Sequence, residues 1–197
     1  MMKKKSIFWM NLVLVFALIA GLALPAANVS AAGKSKQKKV LVVYFSATGT
    51  TKSAAKKVKK ATGGTLYQIK AAKPYTSADL SYDNDDCRAN TEQRDGSVRP
   101  AIKGKVKNIK KYDVIFVGFP IWWGQAPKIL YTFVENCNLS GKTVIPFCTS
   151  ASSGIGTSAT NLQVADTSQS TWLTGRRFSG SSPKSDVESW ISGLGLQ

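Results

Sequence analysis

Two runs of the chain, Lys39–Phe45 and Val114–Pro120, are continuously apolar and rich in β-branched residues. Such runs suit strands covered on both faces of a parallel sheet. Thr65–Ile69 reads as a second strand in chain order, Thr143–Cys148 as a fourth and Thr171–Arg177 as a fifth. Pro146 sits awkwardly inside the fourth, because it removes a ladder donor.

Between the strands the apolar period lengthens to that of a helix. Over Thr50–Ala61, Ala54, Val58 and Ala61 share one face, and Lys52, Lys56, Lys57, Lys59 and Lys60 point outward. Gly63-Gly64 ends this helix. Residues 71–97 are polar and irregular, long for a connection, and a modest helix is expected over 100–108. Pro127 opens the next helix, whose apolar face is Ile129, Leu130, Phe133 and Val134. A further helix follows the Ser/Thr/Gly-rich loop Thr149–Thr157. Ser182-Pro183 starts a last one, with Val187, Trp190, Ile191 and Leu194 on one face. This alternation predicts an α/β fold with a doubly wound, five-stranded parallel sheet.

In such sheets ligands bind beyond the carboxyl ends of the strands, and three loops there are specialised. Ser46-Ala47-Thr48-Gly49-Thr50-Thr51 joins a buried strand to a helix start, where N–H groups and the helix dipole favour a phosphate. It lacks the lysine of a nucleoside triphosphate loop. The competing reading is a Ser/Thr-rich N-cap. Pro120-Ile121-Trp122-Trp123-Gly124-Gln125-Ala126-Pro127 offers an aromatic platform for a planar ring. Core packing of both indoles is the alternative; one suits a core, but both are hard to bury directly after a strand, where adjacent side chains point to opposite faces. Thr149-Ser150-Ala151-Ser152-Ser153-Gly154-Ile155-Gly156 is small and polar, suited to a heterocycle's polar edge. Its Gly154-x-Gly156-x-x-Ala159 spacing lies too far from its strand for a dinucleotide fingerprint.

Composition narrows the chemistry. The chain has 197 residues, no histidine and three cysteines with no CxxC pair. That excludes a Ser-His-Asp triad, a Cys-His dyad, His-ligated zinc and a thioredoxin-type motif. No catalytic side chain and no metal ligand set is assigned. Asp83-Asn84-Asp85-Asp86 lacks the spacing and glycine of a calcium loop. Arg88, Glu92 and Arg99 are expected to order this region or to pair at the surface. Cys137 and Cys148 should lie at opposite ends of the sheet and stay unbridged.

The assembled motifs resemble the flavodoxin-like family, in the form of a flavodoxin-type domain found in exported bacterial proteins. Val43–Thr51 resembles its FMN phosphate loop, and Tyr112–Gly124 its third strand and flavin loop. Gly141-Lys142 and Cys148-Thr149-Ser150 match around the fourth strand. The resemblance covers about residues 39–194. It implies a three-layer sheet of order 2-1-3-4-5 and bound FMN. Ser46, Thr48, Gly49, Thr50 and Thr51 would hold the phosphate. Pro120, Trp122, Trp123 and Gly124 would form the flavin loop, with an indole from Trp122 or Trp123 at the ring. Thr149, Ser150 and Gly154 would lie near the flavin edge. A phospho-receiver domain of the same fold is excluded, since Phe45-Ser46 and Gly118-Phe119-Pro120 occupy its acidic positions.

Charge and the first residues complete the reading. The net charge is +16. Residues 1–31 run from Lys3–Lys5 through an apolar stretch, Leu12–Leu24, to Val29-Ser30-Ala31, the layout of a cleaved signal peptide. An uncleaved anchor is the alternative. Residues 32–38 form a basic linker and 39–197 the domain. Cleavage after Ala31 removes three lysines and leaves +13, a charge suited to an anionic envelope surface rather than to a specific nucleic acid. The expected function is transfer of electrons through FMN outside the cytoplasm, to a redox partner protein or small acceptor. An FMN-dependent NAD(P)H or quinone reductase is one alternative, although no nicotinamide motif is present. A cofactor-free envelope-binding domain is the other.

Overall fold

The computed structural model describes residues 37–196. The expected signal peptide and most of the 32–38 linker lie outside the described residues. Gln37 and Lys38 are exposed coil. Among the described residues no helix is long and apolar enough to cross a membrane.

Strands β1 (Val40–Tyr44), β2 (Thr65–Gln68), β3 (Val114–Pro120), β4 (Thr143–Thr149), β5 (Thr171–Trp172) and β6 (Arg176–Phe178) form one sheet. All pairings are parallel, in the order β2-β1-β3-β4-β5, with β6 also beside β4. Helices α1 (Thr50–Thr62) and α5 (Lys184–Ser192) pack on one face. Helices α3 (Lys128–Glu135) and α4 (Ser158–Ala165) pack on the other. Helix α2 (Arg88–Arg94) belongs to the long β2–β3 connection.

The double cover explains the continuous apolar strands. Val42, Tyr44, Phe116, Ile145 and Phe147 face Ala54, Ala55, Val58 and Val187. Leu41, Val43, Ile115, Val117 and Val144 face Ile129, Leu130, Phe133 and Leu162. Each fully buried aliphatic or phenyl side chain contributes about 1.5–3 kcal/mol. Gly118 is required where it stands: a Cβ there would lie 2.2 Å from the Phe147 ring.

The fifth position of the sheet departs from the expected Thr171–Arg177 strand, for it is split between β5 and β6. Alternate residues of a strand address opposite neighbours. Thr143 N–H donates to Asp113 O at 3.0 Å on the β3 side, and Val144 O accepts from Leu173 N–H at 2.9 Å on the other. Pro146, two residues beyond Val144, therefore turns its missing N–H toward the fifth strand. Gly175 passes so close that a Cβ would lie 2.8 Å from Pro146 O. The ladder lacks a donor there, and it breaks.

The β2–β3 connection is the second correction. It is not irregular throughout 71–97, since it contains a 3-10 turn at Ala78–Leu80 as well as α2. The helix expected over 100–108 is absent. Ala71 bridges Ile102, Lys103 N–H donates to Lys70 O at 2.8 Å, and Gly104 has φ 81°. An extended bridge and a left-handed turn replace the helix, followed by a 3-10 turn at Ile109–Lys111.

Candidate functional site

The three specialised loops leave the carboxyl ends of β1, β3 and β4 and are tied to one another. Thr51 Oγ1 and Thr149 Oγ1 share a hydrogen bond of 2.7 Å, joining the first loop to the third. Ile121 N–H donates to Thr149 O at 3.0 Å, joining the second to the third. Phe45 and Trp122 meet edge to face at 5.6 Å, joining the first to the second. All twelve expected site residues therefore lie along one edge of the sheet, but their roles divide.

In the first loop, Gly49 adopts φ 98°, and its N–H donates to Ser46 Oγ at 3.1 Å. Helix α1 then starts with no side-chain cap and no acidic residue in its first turn. Its leading N–H groups stay uncommitted and carry the positive end of the dipole. Thr48, Gly49 and Thr50 are exposed around them, whereas Thr51 is buried in its bond to Thr149. Ser46 and Thr51 shape the loop, and Thr48 and Thr50 face outward from it.

In the second loop, Trp122 and Gln125 exchange both backbone bonds, N–H to O at 2.9 and 3.0 Å. Between them Trp123 and Gly124 have φ 48° and 74°. Left-handed backbone is natural for Gly124 and costs a bulky residue such as Trp123 about 1–2 kcal/mol. Trp122 is 5% exposed and packs with Phe45 and Tyr75, which makes it core. Trp123 is 62% exposed. Of the two indoles the sequence left open, Trp123 is the one available at the surface. Pro120 and Gly124 flank the turn, half-buried and exposed.

The third loop is braced from below. Arg177 on β6 donates to Ser150 Oγ at 3.0 Å, to Ser150 O at 3.1 Å and to Ala151 O. Ser150 Oγ donates to Ser153 O. These carbonyls are thus engaged within the protein, while Gly154 is exposed. Gln125 Nε2 donates to Thr157 Oγ1 at 2.9 Å, drawing the second and third loops together.

Sequence reasoning missed Arg177, which it read only as the end of a strand. It also missed the contact of the 179–182 loop, where a Cβ on Gly180 would lie 3.4 Å from the Thr50 methyl. Ser179-Gly180-Ser181-Ser182 was a visible small-residue signal. Lys57, expected to face solvent, instead donates to Ser182 O.

The β2–β3 connection supports the site from its other side. Arg88 pairs with Glu92 at 2.6 Å and lies 3.9 Å over the Tyr75 ring. Tyr75 O–H donates to Glu92 at 2.6 Å. Burial, and then this bond, lift the Tyr75 hydroxyl well above its ordinary pKa, so it stays protonated. Of the expected ordering residues, Arg88 and Glu92 do hold this segment. Arg99 pairs instead with Glu135 of α3 at 2.8 Å. A cavity of about 330 Å³ lies between Phe45-Ser46-Ala47 and Tyr75, with Lys70 and Lys103 in its lining.

Cys87, Cys137 and Cys148 are free thiols. Burial pushes Cys148 up to about 12, against the opposing pull of Arg177, and Cys137 up to about 11. Neither supplies a thiolate at neutral pH. Among the described residues no group of His, Cys, Asp or Glu could hold a metal ion.

The family model that matches is flavodoxin, over residues 39–194. A candidate flavoprotein from Bacteroides eggerthii DSM 20697 is 47% identical with a TM-score of 0.76, the match covering 81% of this chain and 99% of that one. A candidate flavoprotein from Bacteroides uniformis ATCC 8492 is 44% identical with a TM-score of 0.75, covering 80% and 99%. A flavoprotein in complex with FMN from Lactobacillus acidophilus NCFM is 23% identical with a TM-score of 0.59, covering 78% and 99%, and shows likeness of fold alone. No curated protein matches the chain.

Proposed function

The chain belongs to the flavodoxin family, and on that premise we propose that it carries electrons on FMN outside the cytoplasm. The observation that supports this best is a pairing on one sheet edge. The uncapped start of α1 offers free N–H donors to an anion, and the exposed Trp123 offers a bare ring to a planar group.

These residues fit FMN. Its phosphate suits a helix start that lacks both a cap and a carboxylate. Thr48 and Thr50 would add hydroxyl donors to the backbone of Gly49–Thr51. Trp123 would stack on the isoalloxazine, and the loop Thr149–Gly154 would border its edge. Bound FMN supplies reversible one- and two-electron chemistry. The chain supplies position and field. Arg177 fixes the third loop and brings a permanent positive charge close to it. Trp122, Phe45 and Tyr75 form an edge-to-face aromatic cluster beside the first two loops.

The assignment outside the cytoplasm rests on the layout of residues 1–31. The chain's excess of positive charge suits an anionic envelope surface and an acidic redox partner. A carrier is preferred to a reductase because no nicotinamide motif occurs in the sequence. The deciding experiment is incubation of the purified protein with FMN, followed by desalting and an absorbance spectrum. Retention of the visible flavin bands at one FMN per chain is expected. A folded but colourless protein would overturn the FMN reading.

A further inference from the structure

Helix α2 turns two amide side chains toward the loop that carries Trp123. Gln93 Nε2 donates to Trp122 O at 2.9 Å and to Ala126 O at 3.4 Å, gripping the turn from behind. Asn90 grips the indole itself: Trp123 Nε1–H donates to Asn90 Oδ1 at 2.5 Å. Asn90 is only 2% exposed. Its Nδ2 donates to Tyr82 O at 3.1 Å and to Asn84 O at 2.9 Å. With both N–H directions taken by backbone carbonyls, the amide oxygen has to face the indole.

A core tryptophan would be buried; a casual surface tryptophan would leave its N–H to water. Trp123 is neither. Its N–H is held by Asn90, its ring and that of Tyr82 stand at 71° with centroids 6.1 Å apart, and most of its surface is bare. Its backbone is held left-handed by the tight turn. An indole fixed by its edge and open on its face is a platform set before any ligand arrives.

We infer that Asn90 is a positioning residue, which holds Trp123 edge-on in the cofactor-free protein so that its face is ready for a planar ring. This deepens the FMN reading and rests on it for the identity of that ring. It assigns a purpose to α2, the one helix of the β2–β3 connection.

The test combines Asn90→Ala, Trp123→Phe and the double variant N90A/W123F. The first readout needs no cofactor. In the nitrogen-15 spectrum of the apo protein, the Trp123 Nε1–H resonance should be protected from exchange. It should lose that protection in N90A, which removes the acceptor oxygen. The second readout is FMN titration. N90A should weaken FMN binding about tenfold, the loss expected for one hydrogen bond. In the W123F background, which has no indole N–H, N90A should have little further effect.

Free exchange of the Trp123 N–H in the wild-type apo protein would overturn the inference. So would equal FMN affinity in wild type and N90A, or an N90A effect that persists undiminished in W123F. If N90A does not fold, the exchange readout on the wild-type apo protein still decides, because it needs no variant: a Trp123 N–H that exchanges freely overturns the inference. A wild type that takes up no FMN, yet shows a protected indole N–H lost in N90A, would refute the FMN reading and uphold the positioning.

Discussion

The start of α1 and the turn at Trp123 lie on the same sheet edge and are built in opposite ways. At α1 the helix begins with no cap, and its donors are left open. At the turn the framing polar groups are engaged: both backbone bonds of the hairpin, the Trp122 carbonyl by Gln93 and the indole by Asn90. An unsatisfied region can bind an ion, since the ligand completes it. A satisfied region can only present a surface, and its precision comes from its tethers. A ligand with an anionic end and a flat end needs one of each.

Placing a carboxylate at the open end gives the largest expected effect. Thr50→Asp should strengthen the helix start by about 0.3–1 kcal/mol and yet reduce FMN affinity about a hundredfold. Two like charges about 5 Å apart near a protein surface repel by about 3 kcal/mol. Thermal unfolding and FMN titration should thus move in opposite directions. A fall in both would mean that the open end is not an anion site but a poorly formed helix start.

The next effect concerns the tie beneath that open end. Thr51→Val or Thr149→Val leaves one buried hydroxyl without its partner, at a cost of about 1–3 kcal/mol. The double variant T51V/T149V should recover most of that loss in a denaturant titration. Additive losses would show that the two hydroxyls act separately.

The smallest effect reaches both regions at once. The charge of +13 left after cleavage at Ala31 favours the more electron-rich state of a bound flavin. Potentiometric titration at low salt should give a potential raised by less than about 59 mV, a tenfold change for one electron. The rise should shrink once the screening length falls below about 8–10 Å. A potential indifferent to salt would confine the tuning to nearby groups such as Arg177.

The same contrast governs what could be read from the chain. β1, β3 and β4 announce themselves because burial on both faces demands an apolar residue at every position. The open donors at α1 were legible through Gly49 and the hydroxyls around it. The tethered half was not. Helix α2, with the sequence RANTEQR, has no apolar period, and it is held by Arg88–Glu92, Tyr75 and the bonds of Asn90. Apart from Arg88–Glu92, which has the i,i+4 spacing of a helical pair, those are tertiary polar contacts between positions that no local spacing connects. Conversely, Ile102, Val106 and Ile109 fall at helical spacing, but Gly104 and the Ala71–Ile102 bridge take that segment elsewhere. Pro146 was recognised as awkward. Its consequence, the split of the neighbouring strand, appears only once the parity of the ladder is known.

The bond between Thr51 and Thr149 spans 98 positions of sequence. Loop closure over such a distance comes late, after the strands between have docked. The loop Ser46–Thr51 is therefore near the beginning of the domain but among the last places to be finished. A partly synthesised chain that ends before β4 has the glycine and the threonines and still lacks the mould. A chain threaded through a membrane in extended form would have to meet its cofactor on the far side, in whatever supply exists there.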